Sequence, residues 1–240
     1  MWNVITIPCM TQLNSQLAAA VIDHPANARS AGAAKPALTP LAPARFFATP
    51  VWTQQFTNHA TLNPPMIDAL KQLEVTAPSV KRSNVGGWHS ETDLHHHPAF
   101  RPLCQTISHM ALRCALALEF DFDRAGMAIQ SLWANRNGPG DYNAQHVHPN
   151  SFLSGSYYLT VPPDSGNIEI TDPVRERVMD AYPLRADATH NMRRIKYHCR
   201  DGLLIMFPSW LSHGVQPNRS KAMRYSLAFN IEVTPKRQRR

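Results

Sequence analysis

From Met127 onward the chain is written in short strand-forming runs separated by Gly- and Pro-containing turns, and no other feature constrains its fold as much. Residues 128–135 (AIQSLWAN) read as a strand, and residues 136–141 (RNGPGD) as the turn after it. Further strands are expected at 156–160 (SYYLT), 168–171 (IEIT), 195–199 (IKYHC), 203–208 (LLIMFP, apolar throughout) and 223–232 (MRYSLAFNIE). Residues 161–167 (VPPDSGN) and the pair Asp201-Gly202 read as turns. Seven or so short strands with such turns argue for a jelly roll or barrel. No internal repeat interrupts the pattern.

The first half reads differently. Residues 1–45 are rich in Ala and Pro and carry no sustained periodicity, so they are expected to be a weakly ordered extension with at most a short helix near residues 12–22. The folded domain is expected over residues 46–240. It opens with a strand at 46–56 interrupted by Pro50, then a helix over 63–73 with Pro64 and Pro65 near its first turn. Residues 81–90 (KRSNVGGWHS) form a turn-rich stretch, and His95, His96 and His97 suit a surface or helix-start role. The strongest helix covers residues 100–118, where Leu103, Ile107, Met110, Ala111, Cys114, Leu116 and Leu118 make an apolar stripe. The fold class is therefore mainly β with flanking helices (α+β).

Composition bounds the function. With 43% hydrophobic and 17% charged residues over 240 positions, the chain can bury a real core. No apolar run is long enough to cross a bilayer, and no secretory signal opens the chain, so no membrane partner is expected. Cys9, Cys104, Cys114 and Cys199 show no CxxC spacing and read as free thiols of a cytoplasmic protein. Lys236, Arg237, Arg239 and Arg240 lie in the last five residues; without them the net charge falls from +7 to +3. The tail reads as a solvated end, and nucleic acid is not an expected partner.

Three places carry candidate chemistry. His146 and His148 are two residues apart, so on a strand both face one way. They make either half of a metal site or a polar strand end. His213 follows the apolar strand at a rim position. On the last strand Arg224, Ser226, Ala228 and Asn230 share one face, and Tyr225, Leu227, Phe229 and Ile231 the other. An Arg facing a barrel interior needs an anion, supplied either by a ligand carboxylate or by an Asp or Glu of the protein.

In order, the chain reads Asn-x-x-His-x-His-Pro, Ser-Gly-x-Tyr-Tyr-Leu, a Gly turn, Phe-Pro-Ser-Trp-Leu-x-His, then Arg-x-Ser. This set resembles the Fe(II)/2-oxoglutarate-dependent oxygenases, and among them a subfamily found in bacteria and phages. The stretch Ser83-Asn84-x-Gly86-Gly87-Trp88 is similar to that subfamily too, and the resemblance runs from about Phe46 to Glu232. It implies a double-stranded β-helix (jelly roll, cupin-like) and an enzyme using Fe(II), 2-oxoglutarate and O2, with release of succinate and CO2. The implied iron ligands are His146 and His213. Arg224 and Ser226 match the pair that binds the far carboxylate of 2-oxoglutarate, and Tyr158 a tyrosine that bonds the same group. His148 departs from the pattern, since most of the superfamily has Asp or Glu there. The preferred reading is three-His ligation by His146, His148 and His213; ligation by His146 and His213 alone is the alternative. The expected activity is hydroxylation of an amino acid, peptide or small natural product. Trp133 and Asn143 are placed either lining the pocket or in the core. The five Arg of residues 172–194 suit either a loop over an anionic substrate or a solvated loop. Two other readings stay open. One is a non-redox jelly-roll enzyme, a Zn or Mn isomerase or hydrolase on the same three His. The other is a jelly-roll binding module without metal.

Overall fold

Among the described residues eleven strands follow one another, with two helices between the early ones. In chain order they are β1 (Trp52–Gln55), α1 (His59–Thr76), β2 (Asn84–Val85), β3 (Trp88–His89), two short 3-10 turns (Leu94–His96 and Pro98–Phe100), α2 (Arg101–Ala117), β4 (Ala125–Asn137), β5 (Tyr142–His146), β6 (Leu153–Thr160), β7 (Ile168–Thr171), β8 (Arg194–Tyr197), β9 (Leu203–Pro208), β10 (His213–Val215) and β11 (Arg224–Pro235). The computed structural model describes residues 48–174 and 194–236. The N-terminal extension, nearly all of the arginine-bearing loop and the last four tail residues lie outside the described residues.

The strands form two antiparallel sheets. The larger runs β1-β9-β6-β11-β4-β3 and the smaller β2-β5-β10-β7-β8. Apart from β3–β4 and β7–β8, neighbours in each sheet are not consecutive in the chain, as in a double-stranded β-helix. The sheets face one another. Ile168 and Ile170 of β7 pack with Tyr158, Ile205 and Phe207 of the larger sheet, and Leu211 closes this inner cluster. The outer face of the larger sheet is covered by the helices. There Leu204, Met206, Tyr157, Leu227, Phe229 and Leu132 meet Met66 and Leu70 of α1 and Leu103, Ile107 and Met110 of α2.

This arrangement explains the apolar run of β9. Leu204 and Met206 face the helices while Leu203, Ile205 and Phe207 face between the sheets, so every side chain is buried. It also explains the alternation on β11, where Leu227, Phe229 and Ile231 enter the helical core and Arg224 and Ser226 face inward, both buried.

Several expectations need correction. Helix α1 starts at His59, so Pro64 and Pro65 lie inside it rather than at its first turn. Buried Asn63 anchors this stretch: its Nδ2 donates to Leu159 O (2.8 Å), and its Oδ1 accepts from the Tyr157 hydroxyl (2.7 Å). On α2 the apolar stripe is narrower than the sequence suggests. Leu103, Ile107, Met110, Ala111 and Cys114 are buried, but Leu116 is 59% exposed because, two residues on from Cys114, it falls on the opposite face of the helix, and Leu118 reaches solvent past the last helical residue, Ala117. Strand β5 ends at His146, so His148 sits beyond it. The His95–His97 run does start a helix, since His97 Nδ1 accepts from Ala99 N–H (3.2 Å).

Gly155 lies where β6 passes between β9 and β11. A Cβ there would overlap the Ile205 carbonyl oxygen and the Phe229 ring, neither of which is free to move. Gly155→Ala is expected to lower stability by about 2 kcal/mol, in the range for overpacked sites. A urea unfolding curve with an unchanged midpoint would refute this.

Candidate functional site

The pairing of β5 with β10 sets His146 directly opposite His213. Cross-strand partners point to the same face, and their rings lie 4.4 Å apart between centroids. His148 lies beyond the end of β5, carried by the turn at Pro149-Asn150, where Asn150 adopts φ 66°. Its ring comes within 4.8 Å of His146 and 5.1 Å of His213. Each of the three offers a ring nitrogen, and these atoms lie within 4.8 Å of one another. Among the described residues no carboxylate or thiol joins the group.

Hydrogen bonds set the tautomers of two of them. His146 Nδ1 is 2.7 Å from Ala144 O and His213 Nδ1 is 2.8 Å from Leu211 O. A carbonyl only accepts, so both Nδ1 carry the proton and both Nε2 keep a free lone pair. That is how a metal-binding imidazole is oriented. The loop bearing His213 is tied to the turn bearing His148 through Ser209. The Ser209 hydroxyl donates to Ser151 O, its N–H donates to Phe152 O (3.2 Å), and its carbonyl accepts from His148 N–H (3.0 Å). The Ser of Phe-Pro-Ser-Trp thus holds the second half of the histidine cluster in place.

Burial in this cluster disfavours charge. Desolvation pulls all three imidazoles below their usual 6.5, with neighbouring His adding to the fall for His148 and His213. His148 drops to about 4 and His213 to about 3. All three are neutral near pH 7, the state in which imidazole binds a metal.

Deeper between the sheets, Arg224 is 1% exposed. Its Nη1 donates to Ser165 O (2.5 Å) and Gly166 O (3.3 Å), and its Nη2 to Asn137 Oδ1 (2.9 Å). No ion pair holds it among the described residues, so the internal Asp or Glu alternative is not realised there. Its Nε is buried and has no hydrogen-bond partner among the described residues. The Tyr158 hydroxyl, also buried, likewise lacks a hydrogen-bond partner of good geometry among the described residues, although the Cys199 thiol is close enough to act on its pKa. Burial drives the Tyr158 pKa well upward, so it stays a phenol that can donate. Ser226 sits across from Tyr158 on one side and Asn135 on the other. Two orphaned buried donors beside a cation are what a carboxylate-binding pocket presents before its ligand arrives.

The residues singled out from sequence therefore fall into two clusters between the sheets: His146, His148 and His213 at one, Tyr158, Arg224 and Ser226 at the other. Trp133 and Asn143 lie between the sheets as well. Sequence reasoning missed Asn135, Asn137 and His89. Asn143 Nδ2 donates to Asn135 Oδ1 (3.2 Å), and Asn137 carries the contact on to Arg224. Alternation along β4 places Trp133, Asn135 and Asn137 on one face, a signal present in the sequence. His89 is 2% exposed and stacks on Trp133.

Residues 131–230 match the sequence profile of a family described as "Putative 2OG-Fe(II) oxygenase", a span holding all six candidate site residues. No curated protein matches the chain by sequence. Among solved structures, a prolyl-4-hydroxylase from Pseudomonas putida is similar at 16% identity and TM-score 0.53, over 77% of this chain and 92% of that one. SnoN, a non-heme alpha ketoglutarate dependent epimerase from nogalamycin biosynthesis, is similar at 14% identity and TM-score 0.57, over 76% and 77%. HygX from Streptomyces hygroscopicus, solved with nickel and 2-oxoglutarate bound, gives 13% identity and TM-score 0.51, over 77% and 83%. At these identities the likeness establishes the fold, a double-stranded β-helix.

The depressed histidine pKa values have a consequence for stability. Between the unfolded value of 6.5 and the folded values near 4 and 3, the unfolded chain binds more protons than the folded one. The contribution is complete above pH 6.5 and is lost as pH falls through that window. Metal-free protein is expected to lose stability from pH 6.5 downward, with a shallower fall in His148→Gln/His213→Gln. Equal slopes in urea titrations at fixed ionic strength would count against it.

Proposed function

We propose that this chain is a 2-oxoglutarate-dependent oxygenase, specifically a hydroxylase working with Fe(II), 2-oxoglutarate and O2, a reading supported by the match of residues 131–230 to a family described as "Putative 2OG-Fe(II) oxygenase". Its substrate class is an amino acid, a peptide or a small natural product. The observation that carries the reading is the pairing of three neutral imidazoles with a buried guanidinium whose Nε has no protein partner.

In this reading His146, His148 and His213 hold iron, His146 and His213 through their Nε2 atoms. Arg224 binds the far carboxylate of 2-oxoglutarate through Nε and the adjacent Nη2 hydrogen, since Nη1 is already taken by the Ser165 and Gly166 carbonyls. The Tyr158 hydroxyl and Ser226 Oγ complete the clamp. Iron and 2-oxoglutarate together supply oxidative decarboxylation to succinate and CO2, coupled to oxidation of a substrate C–H bond. The chain's own residues orient and shelter. Ile205, Phe207 and Leu211 wall one side, Phe207 lying 4.6 Å from the His213 ring, and they exclude water from it. The Asn143–Asn135 and Asn137–Arg224 bonds fix the clamp relative to the strand that ends in His146. A hydroxyl-accepting substrate and an epimerised one are both compatible with the fold, as the prolyl hydroxylase and SnoN illustrate by their names.

A second reading rests on the donor set. Three His and no carboxylate is also a set that zinc accepts with a water, which would make the protein a non-redox hydrolase or isomerase. One experiment separates the two. Fe(II) and then 2-oxoglutarate are titrated anaerobically into apo protein while the visible metal-to-ligand charge-transfer band is followed. The oxygenase reading expects the band in wild type and its loss or marked weakening in Arg224→Ala. Absence of the band, with Zn(II) bound tightly instead, would overturn it in favour of the non-redox enzyme.

A further inference from the structure

We propose that Trp133 is a positioning residue for the third metal ligand: it holds the His148 ring by packing, and His89 braces it from behind. The inference rests on the three-His reading above and adds how the unusual ligand is kept in place.

The three imidazoles are not held alike. His146 and His213 stand on paired strands, and each donates Nδ1–H to a backbone carbonyl two residues back. His148 has neither support. It lies past the end of β5, and among the described residues no hydrogen bond reaches its ring. Its main-chain N–H bonds to Ser209 O, which fixes the backbone but leaves the ring torsions free. A ligating His almost always donates its other N–H to a partner that sets its orientation. For His148 that task falls to packing. Apart from the other two ligands, the aromatic ring against it is Trp133, at 5.6 Å between centroids and tilted by 58°.

Trp133 is itself immobilised. It is 8% exposed, and across the sheet it faces Ala228, which offers a surface without competing bulk. Its other neighbour is His89, stacked at 5.9 Å and only 15° from parallel. His89 is held by one ring hydrogen bond and two main-chain ones. Its Nδ1 lies 2.6 Å from Ser90 O, its N–H donates to Ser79 Oγ (3.1 Å), and its carbonyl accepts from Val80 N–H (2.9 Å). Ser90 locks the strand in turn. Its N–H donates to Ala134 O (3.1 Å), and its Oγ accepts from Ala134 N–H (2.9 Å). The row His89, Trp133, His148 is thus a stack built outward from the β3–β4 pairing, with the metal ligand as its free end. Neither Trp133 nor His89 offers an atom to the ion; both act through His148.

The test is a double-mutant cycle on metal affinity, read with Co(II) alone through its visible d–d absorption on full-length apo protein. Trp133→Leu is expected to weaken Co(II) by about 10- to 100-fold, the usual range for loss of a ligand's orienting partner, and His148→Ala, which removes the ligand itself, by at least as much. Trp133→Leu in the His148→Ala background is expected to add nothing, since a residue acting only through His148 has no further effect once that ring is gone. Trp133→Phe, which keeps an aromatic face, should restore most of the affinity and the wild-type band shape. His89→Ala leaves Trp133 in place and serves should Trp133→Leu fold poorly. It is expected to weaken Co(II) in wild type and not in His148→Ala. Equal losses in both backgrounds, or no loss on Trp133→Leu and His89→Ala in wild type, would overturn the proposal. If His148→Ala itself leaves affinity and spectrum unchanged, the three-His reading fails first and this inference falls with it.

Discussion

The pairing of β10 against β5 is the contact on which the rest of the site depends. One register, His213 opposite His146, converts two residues 67 positions apart into neighbours whose rings face the same way. A slip by one residue would send one of them to the outer face of the smaller sheet. The register is held from the other side as well, because β10 also pairs with β7 through His213 and Ile170. Ile170 belongs to the inner apolar cluster, so hydrophobic burial and ligand placement are fixed by the same strand alignment.

The second cluster depends on a different constraint. A guanidinium 1% exposed between two sheets is costly unless its hydrogens are used. The chain supplies two loop carbonyls and the Asn137 amide, and stops there. No acidic side chain neutralises Arg224 by an ion pair among the described residues. The protein leaves both charge and geometry incomplete at one edge of one residue, beside a phenol that is also unsatisfied. Structural salt bridges are not built this way, since a fold gains by closing its hydrogen bonds, whereas a ligand pocket must leave some open.

Much of this was legible in the sequence because β-strands report their faces by alternation. Arg224 and Ser226 against Leu227 and Phe229 told which face of β11 was core, and β7 and β9 were bounded correctly by their apolar composition and flanking turns. What the sequence hid had physical causes. The start of α1 was obscured because two prolines usually mark a first turn, whereas here Asn63 anchors a helix that continues through them. Leu116 reads as core by its apolar side chain alone, whereas two residues on from Cys114 it faces away from the buried stripe. His89 carried no recognisable signal. It lies on a two-residue strand, and its importance comes from a stack with a tryptophan 44 positions later, a contact made only by tertiary structure. Asn135 and Asn137 could have been found by extending the alternation from Trp133 along β4.

The departure at position 148 changes the electrostatics more than the geometry. A carboxylate there would cancel part of a divalent ion's charge and would draw its orientation from hydrogen bonds to its second oxygen. An imidazole cancels none, so a bound ion keeps its full charge toward whatever occupies its open positions. With an ion on the three imidazoles, as proposed, positive charge would lie there and at Arg224, with the neutral side chains of Ser226, Asn135 and Tyr158 grouped beside the guanidinium. A rod with a negative group at each end fits that field best, and a dicarboxylate is such a rod. In the proposed three-His site, His148 in place of the usual carboxylate would strengthen the pull on a dianionic cosubstrate while leaving the third ligand without the hydrogen bonds a carboxylate would have made. Packing between rings is the force available where the fold has placed no acceptor.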